Sequence, residues 1–201
     1  MPDTQTEHSR LLPLDDGLLR VSELTRHGLS RGQIMRLTQQ GELLRVGRGL
    51  YSRPDATVTE NHTLAQVCAL VPQGVICLAS ALQFHELTTQ NPWQVWLLIE
   101  NHARAPQMEY PPLRLMRAGG DAFTEGVLEQ EIEGVTVRVT HVAKTIADCF
   151  KYRNKIGLSI ALEALKEALV ERRTDRTTLR EYARLCRVEH VMAPYLEALA
   201  I

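Results

Sequence analysis

Arg31, Gln33, Arg36 and Gln39 place four hydrogen-bonding side chains within nine residues, at spacings that put them on the outer face and flanks of one helix. A guanidinium grips a phosphate or the O6/N7 edge of guanine with two parallel hydrogen bonds, and a glutamine amide does the same for adenine. Ser30, immediately upstream, is the expected N-cap of that helix and is counted with the same polar set. Three further arginines follow at Arg45, Arg48 and Arg53, and Arg48 lies between Gly47 and Gly49. A glycine-flanked arginine at a hairpin tip enters a minor groove or lies on phosphate. Gly32, with no side chain, permits close approach of a partner.

The segment that must position these groups is residues 20–53, RVSELTRHGLSRGQIMRLTQQGELLRVGRGLYSR. Ser22 is predicted to cap a short helix through about His27, and Gly28 supplies a turn. Ser30 caps a second helix that runs to about Gln40 and stops at Gly41. Ile34 and Leu37, preceded by Leu29, fall on one side and anchor it. At about 100° per residue the opposite side presents Gly32, Met35, Arg36 and Gln39, with Arg31 and Gln33 on the flanks. Strands at 43–47 and 49–53 complete a winged helix-turn-helix. The segment has seven Arg against two Glu, a formal +5, while the remainder of the chain sums to −6. A compact basic module on an acidic protein points to double-stranded DNA. Two blander readings stand beside it: a protein-docking winged helix and a solvated arginine face. One such module reads a half-site, so repression implies a dimer or two monomers on a repeat.

The chain has 201 residues, enough for one ordinary domain or two small ones. With 44% apolar and 23% charged residues and a net charge of −1, it has the composition of a soluble globular protein. No apolar run approaches the ~18 residues of a membrane span. The start, MPDTQTEHSR, lacks the pattern of a signal peptide, so a cytoplasmic location is expected. Cys68, Cys77, Cys149 and Cys186 are scattered and read as buried reduced thiols. The seven histidines show no zinc-ligand spacing, and neither metal nor cofactor is expected.

Leu11, Leu12, Leu14, Leu18 and Leu19 are predicted to pack as a short first helix, cut by Pro13 and Asp15-Asp16-Gly17. Beyond Arg53-Pro54-Asp55, helices are predicted at about 60–70 and 78–88 and strands at 93–101 and 113–117. Residues 127–132 and 135–140 form a hairpin about Glu133-Gly134. Helices from 142, 158, 177 and 189 close the chain. The expected class is α+β: an N-terminal winged helix-turn-helix (1–55), then a small antiparallel sheet packed with helices and a helical C-terminus (56–201).

The run GLSRGQIMRLTQQGELLRVGRGLY resembles the start of the AbiEi-type antitoxins of abortive-infection toxin–antitoxin systems. Their wing pattern, G-x-[LI]-x-[RK]-x-x-[RK]-G-x-Y, reads here from Gly41 to Tyr51. Leu78–Leu87 and Thr140–Phe150, followed by the helix at 158–171, are similar to later blocks of the family, so the likeness covers roughly 20–172. The resemblance implies a nucleotidyltransferase-like toxin encoded alongside, and autorepression through repeats in the operon's promoter. It also implies neutralisation through the C-terminal domain without the need for a stable complex. Some relatives carry a nuclease-like C-terminal domain; here no strand-borne E-x-K is found, since Glu163 and Lys166 fall on a helix.

Other candidates are weaker. Ser80 and His85 invite a nucleophile–base reading, but five residues of helix separate them by about 500° and no orienting acid is evident. They read as a capping or buried polar residue and a packing one. Asp148, amid Ile146, Cys149 and Phe150, reads as a structural acid that accepts a hydrogen bond from Lys144 or a loop. Arg180, Arg184 and Arg187 share one helix face. That face is solvated, or is a second DNA contact, or meets an acidic patch on toxin or RNA. Glu125, Glu129, Glu131 and Glu133 form an acidic hairpin edge that aids solubility or meets a basic toxin surface. The function expected is that of a non-enzymatic antitoxin and autorepressor. The alternative is an adaptor that docks a partner enzyme, with the winged helix as a protein-binding module.

Overall fold

The computed structural model describes residues 17–199. It is a mixed α+β structure that divides into two compact units. The first takes the chain up to Pro72 together with Gln130–Val137; the second takes Gln73–Glu129 and the chain from Arg138 onward.

In the first unit β1 (Leu18–Arg20) leads directly into α1 (Val21–Arg26), α2 (Arg31–Gln39), β2 (Leu44–Gly47), β3 (Leu50–Ser52) and α3 (His62–Leu70). The three strands form an antiparallel sheet in the order β1-β3-β2. Leu19, Leu24, Leu29, Ile34, Leu37 and Leu43 make its core. The helix expected to include Leu18 and Leu19 is instead strand β1, with Leu18 opposite Ser52 and Arg20 opposite Leu50. Both leucines are buried in this extended form, and β1 satisfies the edge of β3 that a two-stranded hairpin would leave open. Leu11, Leu12 and Leu14 lie outside the described residues. The cap of α1 is Arg20 rather than Ser22, because the Glu23 carboxylate three residues on accepts the Arg20 N–H at 2.8 Å.

The second unit contains β4 (Val75–Ile76), α4 (Leu78–Phe84), β5 (Val95–Glu100), β6 (Leu113–Ala118) and α5 (Asp121–Thr124), and the outer ends of β7 (Val127–Ile132) and β8 (Val135–Thr140), whose turn-side residues Gln130–Val137 belong to the first unit. The helices α6 (Val142–Lys151), α7 (Arg153–Ile156), α8 (Leu158–Val170), α9 (Arg176–Leu185) and α10 (Glu189–Ala198) follow. The sheet order is β6-β5-β4-β8-β7. The expected antiparallel sheet is in fact mixed: β4 pairs antiparallel with β5, but β4–β8 and β5–β6 are parallel. The reason is the link 101–112, long enough to carry the chain back to the same end of the sheet. Consistently, Val95–Ile99 of β5 are buried without alternation, the mark of a strand covered on both faces.

The β7–β8 hairpin turns on Glu133 (φ 51°) and Gly134 (φ 69°), two consecutive left-handed residues as a type I′ turn requires. The helical core is built around α6, whose residues Val142–Phe150 are all buried.

Candidate nucleic-acid interface

Helix α2 begins with a reciprocal cap. The Gln33 N–H donates to Ser30 Oγ at 3.3 Å, while Gln33 Oε1 accepts the Ser30 N–H at 2.9 Å and its hydroxyl at 2.8 Å. Ser30 therefore spends its hydroxyl proton, and Gln33 its acceptor capacity, on fixing the helix start, and Gln33 keeps only its NH2 for an outside partner. Ile34 and Leu37 are buried and hold α2 to the core. Arg31, Gly32, Met35, Arg36 and Gln39 are exposed on the outer surface.

Strands β2 and β3 form a hairpin with Leu44 opposite Ser52, Arg45 opposite Tyr51 and Gly47 opposite Leu50. A register shift between Arg45 and Gly47 leaves Val46 as the extra residue of a bulge. Gly49 closes the tip at φ 74°, a conformation that L side chains rarely adopt. Its carbonyl accepts the Val21 N–H at 3.0 Å, which ties the tip to the start of α1. Arg48 in this turn is exposed, and Arg45 Nε donates to the Gly47 carbonyl at 3.4 Å.

Arg53 is placed differently from Arg48. Its guanidinium makes a two-pronged ion pair with Asp55, at 2.9 and 2.6 Å. The hydrogen bond from Arg53 holds the Asp55 carboxyl below its usual range, so the two charges offset each other at neutral pH. The Arg-Pro-Asp spacing was the available signal for this pair.

The C-terminal arginines are not a uniformly basic face. Arg180 and Arg184 are exposed one turn apart on α9, and Arg187 lies just beyond its end. Arg184 Nε donates to Glu189 Oε1 at 2.9 Å, and Arg180 shares a shallow depression with Glu189 and Glu197.

Ser80 and His85 are tied to different strands. Ser80 Oγ accepts the Trp96 N–H at 3.0 Å, and His85 Nε2 donates to the Thr140 carbonyl at 2.7 Å. Burial lowers the His85 pKa against the raising effect of that bond. Asp148 accepts from Lys144 Nζ through Oδ2 and from the Cys186 thiol through Oδ1 at 3.3 Å, all three side chains being buried. The lysine expected as its partner is therefore the one found, and the cysteine is an addition with no periodic signal. All four cysteines are buried.

Glu133 is not part of an exposed acidic edge. Its side chain is 4% exposed and accepts from the Thr59 N–H and hydroxyl, both at 2.8 Å, and from His62 Nδ1. Partial burial works to raise its pKa, but these hydrogen bonds outweigh it and hold the carboxyl below its usual range. Glu125, Glu129 and Glu131 remain exposed, with Arg138 3.4 Å from Glu129. Among the described residues no helix is long and apolar enough to cross a membrane.

Residues 10–54 match the AbiEi_4 family model, described as transcriptional regulator, AbiEi antitoxin. The AbiEi_4 segment thus takes in α2 and the whole β2–β3 hairpin. No curated protein matches the chain. A similar solved structure is the crystal structure of RV2827C protein from Mycobacterium tuberculosis, with a TM-score of 0.60 and 12% identity over 96% of this chain and 78% of that one. At that identity the likeness concerns the fold alone.

Proposed function

We propose that the protein is an antitoxin and transcriptional autorepressor that binds repeats in its own promoter through a winged helix-turn-helix. Helix α2 is the recognition helix, the β2–β3 hairpin is the wing, and residues 1–55 are the DNA-binding domain. The observation that carries the reading is the division of α2: Ile34 and Leu37 buried beneath it, Arg31, Arg36 and Gln39 exposed above it. The AbiEi_4 match over the same residues supports it. Arg36 and Gln39 meet bases or phosphates in the major groove, while Arg48 lies in the minor groove or on phosphate. Arg31 and Arg45 add backbone contacts, and Arg53, held by Asp55, contributes least. Residues 56–201 counter a nucleotidyltransferase-like toxin in the cytoplasm without enzymatic activity. The Arg180–Arg184–Arg187 face is solvated, because two of its members share their surroundings with Glu189.

The test is binding to DNA from upstream of the protein's own gene. Arg36→Ala and Arg48→Ala should each weaken binding with the fold intact by circular dichroism. A base-reading arginine should cost about 1–3 kcal/mol and relax one position; a phosphate contact should weaken all sequences alike and lower the salt slope by about 1. Parent-like binding by both variants would overturn the assignment.

A further inference from the structure

Met35 is the single apolar side chain that α2 exposes, at 62% of its surface, on a face otherwise made of Arg31, Gly32, Arg36 and Gln39. The internal packing of α2 is made by Ile34 and Leu37, and among the described residues the first unit's core does not include Met35. Gly32, three residues earlier on the same face, is unexplained in the same way. A Cβ built on it would meet no atom nearer than Ser30 Oγ at 4.0 Å, and its backbone is not left-handed. Glycine is a poor helix residue, so its presence leaves space outside the helix rather than relieving a clash within it. Helical side chains lean toward the N-terminus, which carries Met35 over the turn that Gly32 leaves bare.

The major groove displays one apolar group, the 5-methyl of thymine. We infer that Met35 is a specificity-determining residue that packs on a thymine methyl, with Gly32 allowing the helix backbone to come close enough for the contact. This rests on the reading of α2 as the recognition helix and adds the base that it selects. An unbranched thioether reaches and adapts to such a methyl without the rotamer restriction of a branched chain. The flanking Arg36 and Gln39 hold register while Met35 distinguishes thymine from cytosine, which lacks the methyl.

The test uses the full-length protein and two forms of the upstream duplex, one natural and one amplified with deoxyuridine in place of thymidine, which removes only methyl groups. The parent should bind the deoxyuridine duplex more weakly by roughly four-fold for each methyl contacted. Met35→Ala should show that same loss on natural DNA and no discrimination between the two duplexes. Met35 is exposed and alanine favours helix, so the variant keeps the fold. If Met35→Ala retains the parent's full preference for thymidine, or if the parent shows none, the methyl contact is wrong, and the recognition-helix reading stands where Arg36→Ala still weakens binding. If the parent binds neither duplex, both fall together.

Discussion

Replacing Gly32 with alanine should strengthen the fold and weaken DNA binding at the same time. The added Cβ meets open space, and alanine in place of helical glycine is worth up to about 0.5–1 kcal/mol. The same methyl would occupy the space through which α2 is proposed to approach DNA. A rise in the urea midpoint with a fall in promoter affinity checks both halves; unchanged affinity would mean that the gap is idle. A second residue-scale prediction concerns Lys144 and Asp148, an ion pair four residues apart with side chains 2% and 8% exposed. Lys144→Met should cost about 3–5 kcal/mol by leaving the carboxylate buried and uncompensated. Combining it with Asp148→Leu should recover most of that loss in urea melts. Burial works to lower the Lys144 pKa, but the Asp148 charge prevails and raises it. The pair's stabilisation is therefore complete below the ordinary lysine range and fades as pH climbs through the raised value, a fade that the double variant should lack. Burial and the same carboxylate push the Cys186 thiol up to about 12, so it should resist alkylation at neutral pH until the chain unfolds.

At the scale of elements, the sequence disclosed most where local chemistry decides. Ser30 is the expected cap, with Gln33 joining it instead of lying free on the flank, while Ile34 and Leu37 are the expected anchor and Glu133-Gly134 the expected turn. It disclosed less where a partner far along the chain decides. The strand at Leu18–Arg20 depends on β3, and nothing in a Leu-Leu-Arg triplet announces that pairing. Parallel pairing of β5 with β6 depends on the path of residues 101–112, whose composition reads simply as loop. The partners of Glu133 are more than seventy positions away, so only its place in a hairpin turn, in line with Glu125, Glu129 and Glu131, was visible, and that made it look solvated. The contact is testable. Glu133→Gln should speed hydrogen exchange at the Thr59 amide at neutral pH. Because the folded carboxyl is held below its usual range, the parent's protection should be present above that range and lost as pH falls through the lowered value. A Cβ at Gly17 would come within 2.2 Å of the Glu133 carbonyl oxygen, so Gly17→Ala should cost about 1–3 kcal/mol through overpacking, read as a lower urea midpoint.

At the scale of the molecule, regulation and protection are expected to be separable by point changes rather than by truncation. The first compact unit includes Gln130–Val137, so cutting the chain after residue 55 would leave that piece without its surroundings. The double variant Arg36→Ala/Arg48→Ala keeps every core residue of the unit. On the function proposed above, it should lose promoter repression in a reporter assay while still protecting cells from a nucleotidyltransferase-like toxin expressed from an adjacent gene. Loss of both would favour a docking role for the module. The candidate site was readable in outline because charge is local in sequence: seven arginines in residues 20–53 stand out in a nearly neutral chain. The pairing of Arg53 with Asp55 had only the Arg-Pro-Asp spacing to announce it, and that of Arg184 with Glu189, outside this segment, is decided by geometry.

Glu133 also sets an order in time. Its carbonyl accepts the Leu18 N–H at 3.0 Å, and its carboxylate holds Thr59 and His62. During synthesis the amino-terminal unit is complete only once position 137 has left the ribosome, not when position 72 has. At ordinary elongation rates that is a delay of roughly 3–13 s. A nascent chain thus finishes its amino-terminal unit after most of its second sheet has been translated, and a prematurely terminated product ending before the hairpin would lack the closing piece of that unit.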